Sequence, residues 1–134
     1  MRSIFSIIAI VWGSLASGQI DVNQLDSEGE KQGHWEKKYK NGKLKYSGQF
    51  KNDLPAGKFE RYSNKGKLSS TLFYTPGNEV VNAQLFHSNG QVLAKGNYIN
   101  QKKDSLWTFY RKDGLLFSEG LYLNGELNGD YKEF

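Results

Sequence analysis

A period of 24 residues runs through this chain without a gap, and it limits what the chain can become. The units fall at 31–54, 55–78, 79–102 and 103–126, with a partial unit at 127–134. Gly42, Gly66, Gly90 and Gly114 form one column. Leu44, Leu68, Val92 and Leu116 form a second, and Phe50, Tyr74, Tyr98 and Tyr122 a third. Trp35, Phe59, Ala83, Trp107 and Tyr131 make a fourth. Tyr62, Phe86, Tyr110 and Phe134 make a fifth, where the first unit has Lys38. Self-similarity at a fixed spacing marks a repeat architecture, in which each unit is one supersecondary motif stabilised by its neighbours.

Each unit reads as a β-hairpin. In the first, an aromatic-rich run, G-H-W-E-K-K-Y, precedes Asn41-Gly42, and L-K-Y-S-G-Q-F-K returns. Asn-Gly between strand-like runs predicts a type I′ turn, because both central residues then take positive φ. Lys65-Gly66, Asn89-Gly90 and Asp113-Gly114 stand at the same place. Turn formers also join one hairpin to the next: Asn52-Asp53, Pro76-Gly77-Asn78, Asn100 and Asn124-Gly125. Outside the N-terminal segment no apolar period of 3.6 residues exists, so no substantial helix is expected. The fold class is therefore all-β, an antiparallel meander of tandem hairpins forming an open twisted sheet.

Side-chain alternation raises a question about faces. Leu44 and Phe50 are six apart and share a face under strict alternation, whereas Trp35 and the Tyr62 column are three apart in repeat position and do not. Either a bulge intervenes or both faces carry packed side chains. Gly48, Gly96 and Gly120 share a column, with Leu72 as the exception. A ring over the backbone and conformational strain explain those glycines equally well. The third unit is the least regular: Ala83 replaces the large ring, Val81 replaces a glycine, and T-P-G-N-E-V-V calls for a wider turn. The sequence ends at Phe134, halfway through a hairpin, which suggests an edge strand or a template for another chain.

Residues 1–18 have the layout of a secretory signal peptide: Arg2, then an apolar run from Ile4 to Trp12, then Gly13, Ser14, Ala16, Ser17 and Gly18. The run is too short for a bilayer span, which needs about 20 residues. Cleavage after Gly18 would leave Gln19 first and no transmembrane span. The expected location is exported, periplasmic or secreted. Removal of Arg2 leaves 17 of the 18 Lys/Arg against 14 Asp/Glu. That charge is uneven. Residues 19–30 form an acidic, extended or disordered segment with Asp21, Asp26, Glu28 and Glu30, suited to lie against the basic repeats. Residues 31–67 hold eleven Lys/Arg against Glu36, Asp53 and Glu60.

At G-H-W-E-K-K-Y-K-N-G-K-L-K-Y-S-G-Q-F-K-N the chain resembles the MORN repeat (membrane occupation and recognition nexus) in its bacterial variant form. The wider set is often labelled the YwqK-type antitoxin family. L-D-S-E-G-E-K-Q-G-H-W and Y-I-N-Q-K-K-D-S-L-W-T-F-Y are similar to segments of its secreted members. The resemblance spans residues 19–134. It implies an open sheet of hairpins and a role in binding or scaffolding, with no enzyme activity to carry over. Toxin masking follows only from the family label, and an export signal sits awkwardly with a cytosolic toxin.

Chemistry-bearing motifs are scarce. With no Cys, a disulfide framework, a Cys-ligated zinc, a thiol nucleophile and a lipid-anchored Cys are excluded. His34 and His87 fall in different columns, and both read as strand-surface residues. No nucleophile elbow, phosphate loop or dinucleotide fingerprint appears. No enzyme, metal or cofactor is expected. Two surfaces stand out instead. The basic one contains Lys37, Lys38, Lys43, Lys45 and Arg61 interleaved with Trp35. It suits an anionic lipid, an anionic glycan or an acidic protein, or else it keeps exposed strands soluble. Lys37 and Lys38 point to opposite faces, so this charge is not one patch. The second is the ladder Phe50, Tyr74, Tyr98 and Tyr122, either an exposed strip for a partner or the core of a curled sheet. The expected partner is an unidentified protein held by the sheet face or edge. The alternative is an anionic envelope surface met by residues 31–67. Nucleic acid is a poor match for an exported protein.

Overall fold

The structure, a computed structural model, describes residues 21–134 as ten antiparallel strands in one open sheet, paired in sequence order, with no helix among those residues. The signal-peptide reading of residues 1–18 lies outside the described residues. The strands are β1 (Gln24–Leu25), β2 (Lys31–Lys38), β3 (Leu44–Lys51), β4 (Leu54–Tyr62), β5 (Leu68–Tyr74), β6 (Val80–Phe86), β7 (Val92–Ile99), β8 (Lys102–Tyr110), β9 (Leu116–Leu123) and β10 (Glu126–Glu133). The acidic segment contributes β1, which pairs Gln24 with Gln32 and Leu25 with Lys31. Asp26 closes the turn behind it, its carboxylate accepting from the Glu28 and Glu30 amides at 2.9 Å and from Gln32 Nε2 at 2.9 Å.

The turns at the glycine column do not take the type I′ geometry expected of them. At the glycine column only Gly42, Gly66, Gly90 and Gly114 have positive φ, while Asn41, Asn89 and Asp113 do not. The Gly42 amide bonds the Tyr39 carbonyl, and the Tyr39 amide bonds the Lys43 carbonyl. This is a three-residue loop, a type I turn closed by a left-handed glycine, not type I′. The Asn41 side chain holds it so: Oδ1 accepts from the Lys43 amide at 3.0 Å, and Nδ2 donates to the Asn64 carbonyl of the next turn at 2.8 Å. Type I′ geometry sits instead between hairpins, at Asn52-Asp53, Asn100-Gln101 and Asn124-Gly125, where both residues have positive φ.

Two sets of bulges decide the faces. Near each glycine turn the register slips by one, leaving Lys45, Ser69, Leu93 and Phe117 without a cross-strand partner. Leu44 therefore pairs with Lys38, three residues from the Trp35 that faces Gly48. Leu44 and Phe50 thus lie on opposite faces, because the bulge breaks the alternation that would have joined them. Leu44, Leu68, Val92 and Leu116 join Tyr62, Phe86 and Tyr110 on what we term the back face. A second slip, of two residues, follows Gly48–Phe59, Lys95–Thr108 and Gly120–Tyr131. There Gly57, Ser105 and Gly129 have positive φ. Val81 occupies that position in the third unit, and a β-branched residue resists it. So β5 and β6 pair without a slip from Ser70–Leu85 to Tyr74–Val81. The surplus goes into the wider loop at Thr75–Glu79, closed by Asn78 N to Thr75 O at 2.9 Å.

The core is one row on the front face. Trp35, Gly48, Phe59, Leu72, Ala83 and Gly96 pair from strand to strand, as do Trp107, Gly120 and Tyr131, and the Trp107 ring against Gly96 joins the two runs. A Cβ at Gly48 would overlap the Phe59 ring, and one at Gly96 would overlap the Trp107 indole. Neither glycine has positive φ, so close approach of a ring, not strain, accounts for them. Phe59 and Ala83 are 4% exposed, and Trp107 and Ala94 are 0%. Where the second unit meets the third the sizes are exchanged: Leu72 stands in the glycine column and faces Ala83 from the ring column.

That exchange predicts a compensating pair. Leu72→Gly should leave a cavity, and Ala83→Phe should overpack, each costing about 1–3 kcal/mol. The double variant restores the arrangement of the other units and should be more stable than the sum of the single changes predicts, by about 0.5–3 kcal/mol. Urea unfolding of the four proteins measures this coupling; strict additivity would contradict it.

Candidate functional site

Neighbouring strands lie about 4.8 Å apart, so rings of one column recur about every 10 Å across the sheet. Rings from the adjoining column fill the gaps. Phe59 lies 5.7 Å from Phe50 and 6.0 Å from Tyr74, both edge-on. Trp35 packs on Phe50 at 6.1 Å, and Tyr46 on Phe59 at 5.1 Å. A second cluster joins Tyr98 to Trp107 at 5.0 Å, Trp107 to Phe109 at 6.3 Å and Phe109 to Tyr122 at 6.4 Å. The ladder Phe50, Tyr74, Tyr98 and Tyr122 is thus half-buried by its neighbours and half-open to solvent.

Cations lie on these rings. Lys31 Nζ stands 4.8 Å from the Trp35 ring and 5.0 Å from Phe50. Lys103, 72 residues later and so at the same repeat position, stands 5.0–5.2 Å from Trp107, Phe109 and Tyr122. Arg61 lies 5.9 Å from Phe59. Each such contact is worth about 0.5–1 kcal/mol at a partly exposed site.

The sequence-selected basic residues do not gather. Lys37 and Arg61 are exposed on the front face, in the row that also holds Tyr46, Leu85 and Phe109. Lys38 is exposed on the back. Lys43 belongs to the edge of stacked turns, where its Nζ donates to the Lys65 carbonyl at 3.2 Å. Lys67 does the same to Ser88 at 3.0 Å. Lys45 is a bulge residue whose Nζ stands 5.6 Å from the Tyr39 ring. His34 is on the back face beside Glu36, Ser47 and Gln49. His87 is not a strand residue; it opens a turn, and its Nε2 donates to the Tyr110 carbonyl at 2.8 Å.

Carboxylates concentrate on the back face, where Lys38, Lys58, Lys95 and Lys132 also lie. The back row pairs Glu36, Ser47, Glu60, Thr71, Gln84, Lys95, Thr108, Glu119 and Lys132. The His34–Glu36 contact and the Lys58–Glu60 ion pair lie there, and the Arg111–Asp113 ion pair lies in a turn. The front rows carry Lys37 and Arg61, with Lys31 and Lys103 above the rings; their one carboxylate is Glu133, on the last strand.

Between the two ring clusters the front face is open. A ring at position 83 would lie over residue 72, as Phe59 lies over Gly48, but here Leu72 occupies the glycine's place and Ala83 carries no ring, so the row is lower. The result is a groove of about 610 Å³ floored by Leu72 and Val81, walled by Tyr74 and Tyr98, with Arg61 on its rim and Asn100 nearby. The ladder residues Tyr74 and Tyr98 were legible as candidates; Leu72 and Val81 were not. Their signal is the set of departures on either side of the join between the second and third units, which mark a gap in an otherwise regular row.

Two stretches, residues 31–52 and 81–100, match the MORN repeat variant family. The first is the hairpin β2–β3 and the second the hairpin β6–β7. The chain is thus a β-repeat protein with hairpins of that type. No curated protein and no solved structure matches it.

On the back face the Tyr62 hydroxyl donates to Glu60, which also pairs with Lys58 at 2.6 Å. The bond to the Glu60 carboxylate raises the Tyr62 pKa to about 12, since ionising the phenol would forfeit the bond and face two anions. The raised value means that this contribution to stability is full below the ordinary pKa of about 10 and is lost as pH rises through about 12. NMR titration of ring-labelled tyrosine should find Tyr62 ionising near 12, and Glu60→Gln should return it toward 10. Ionisation of wild-type Tyr62 near 10 would contradict the contact.

Proposed function

We propose that this chain is a non-enzymatic interaction module that holds a protein partner on its front face. The supporting observation is a single-layered sheet whose aromatic face is only half-buried and has no second layer over it among the described residues. Domains ordinarily bury such a face against another element. Exposed apolar surface of this extent commonly marks a partner site, and Tyr, Trp, Phe and Arg are the side chains enriched in interface cores. The rows are also pre-ordered. Rings fixed by neighbouring rings lose little side-chain freedom on docking, which leaves more of the contact energy as affinity. Export, from the layout of residues 1–18, belongs to the same proposal and places the partner outside the cytoplasm.

Site-specific photo-crosslinking in the native cells tests the face. A photoreactive side chain at Lys37, exposed on the front, should give a discrete protein adduct. The same group at Gln84, exposed on the back, should not. Adducts from Gln84 alone, or none from Lys37, would contradict the proposal.

A further inference from the structure

The front face is cationic as well as aromatic, and the two properties meet at the groove between Tyr74 and Tyr98. Its floor, Leu72 and Val81, is apolar. At its rim the Arg61 guanidinium stacks near Phe59 and, among the described residues, meets no carboxylate within 4.0 Å. A planar guanidinium with its donors unmatched suits a carboxylate, which it can hold with two parallel hydrogen bonds. Lys37 and Lys103 extend the positive field across the same face, with only Glu133 opposing it in the paired rows.

Resting on the interaction reading above, we propose that this groove binds an extended acidic segment of a partner protein. One apolar side chain of the segment sits between Tyr74 and Tyr98, and a carboxylate two residues away pairs with Arg61. In an extended chain, side chains at i and i+2 point the same way about 7 Å apart, so a sequence with an acidic and an apolar residue two positions apart, Glu-X-Phe, presents both groups to one face. Asn100 and Gln101, at the groove's border, supply amides for the segment's backbone. A membrane of anionic lipid is the poorer match. It would meet a broad field of charge at the turn tips, where Lys43 and Lys67 are tied to neighbouring carbonyls, and not one guanidinium beside an apolar trough at the sheet centre. The positive field predicts an on-rate that falls as salt rises.

Fluorescence anisotropy of the full chain with a labelled eight-residue peptide of two Glu-Ser-Phe-Ser units (the Glu-Phe peptide) tests this. The Glu-Phe peptide should bind, and its Lys-Phe counterpart should bind at least about tenfold more weakly. Arg61→Glu should weaken Glu-Phe binding about tenfold or more. Val81→Trp, which fills the trough, should weaken it as well. Lys38→Glu makes the same charge change on the back face and should leave the affinity within about twofold. Circular dichroism of each variant confirms that the sheet persists. No binding of the Glu-Phe peptide at millimolar concentration, equal binding of both peptides, or an Arg61→Glu variant that folds and binds normally would each overturn the proposal. Arg61-dependent binding to phosphatidylglycerol vesicles without peptide binding would overturn it in favour of a lipid surface. Front-face crosslinks that persist in Arg61→Glu would overturn this inference and leave the interaction reading standing.

Discussion

A one-layered sheet has no second element to bury itself against, so its core must come from side chains lying flat along its own surface. In this chain that core is a ring on one strand lying over a glycine on the next. Phe59 covers Gly48 and Trp107 covers Gly96, and the missing Cβ lets each ring reach the backbone. Trp107 thereby becomes fully buried in a protein that has no opposing layer among its described residues. Its Nε1 still finds the Asn97 carbonyl at 2.9 Å, so burial leaves no donor unpaired. Rings from the next column pack edge-on against this row, and lysines four residues earlier cap it. Stability in such an array is a sum of contacts between neighbours, so each unit must reproduce the fit.

Where one unit departs from the fit, the surface changes character. Exchanging glycine for Leu72 and the ring for Ala83 keeps the row continuous but lowers its profile. Replacing glycine by Val81 removes a bulge and moves two residues into the Thr75–Glu79 loop, so the period survives while the local shape differs. The same departures that look like decay of the repeat create the groove. The charge arrangement follows from the same geometry. Carboxylates Glu36, Glu60 and Glu119 fall on the back because their positions alternate with ring and glycine positions, which leaves the front to Lys37 and Arg61.

Much of this was legible in the sequence. The hairpin meander follows from the columns, and the ring-over-backbone option for Gly48, Gly96 and Gly120 was one of two readings that the spacing allowed. The structure decides between them through pairing, which spacing alone cannot supply. Turn types were legible in place but not in kind. Asn41-Gly42 carries the strongest local signal for type I′, yet the Asn41 side chain bonds both its own turn and the next one, and tertiary stacking overrides the local preference. Leu44 and Phe50 share a face only under strict alternation, and a bulge was one of the readings left open; its place at Lys45 was not legible, because the bulge has no composition of its own: the corresponding residues are Ser69, Leu93 and Phe117. The small column of Ser70, Ala94 and Ser118 also escaped notice, although Leu85 and Phe109 pair with its residues and pack against the buried cluster that contains Ala94. The site was half legible, through Tyr74 and Tyr98, because a groove is made by what a repeat omits.

The most direct measurement is the proton NMR shift of the glycine Hα atoms. Protons beneath an aromatic face are shielded by its ring current. Gly48 and Gly96 should therefore show Hα signals displaced strongly upfield, while the turn residues Gly42 and Gly90, which have open space around them, keep ordinary shifts. Ordinary shifts at Gly48 and Gly96 in the folded protein would mean that the rings do not lie on the backbone, and the core described above would be wrong.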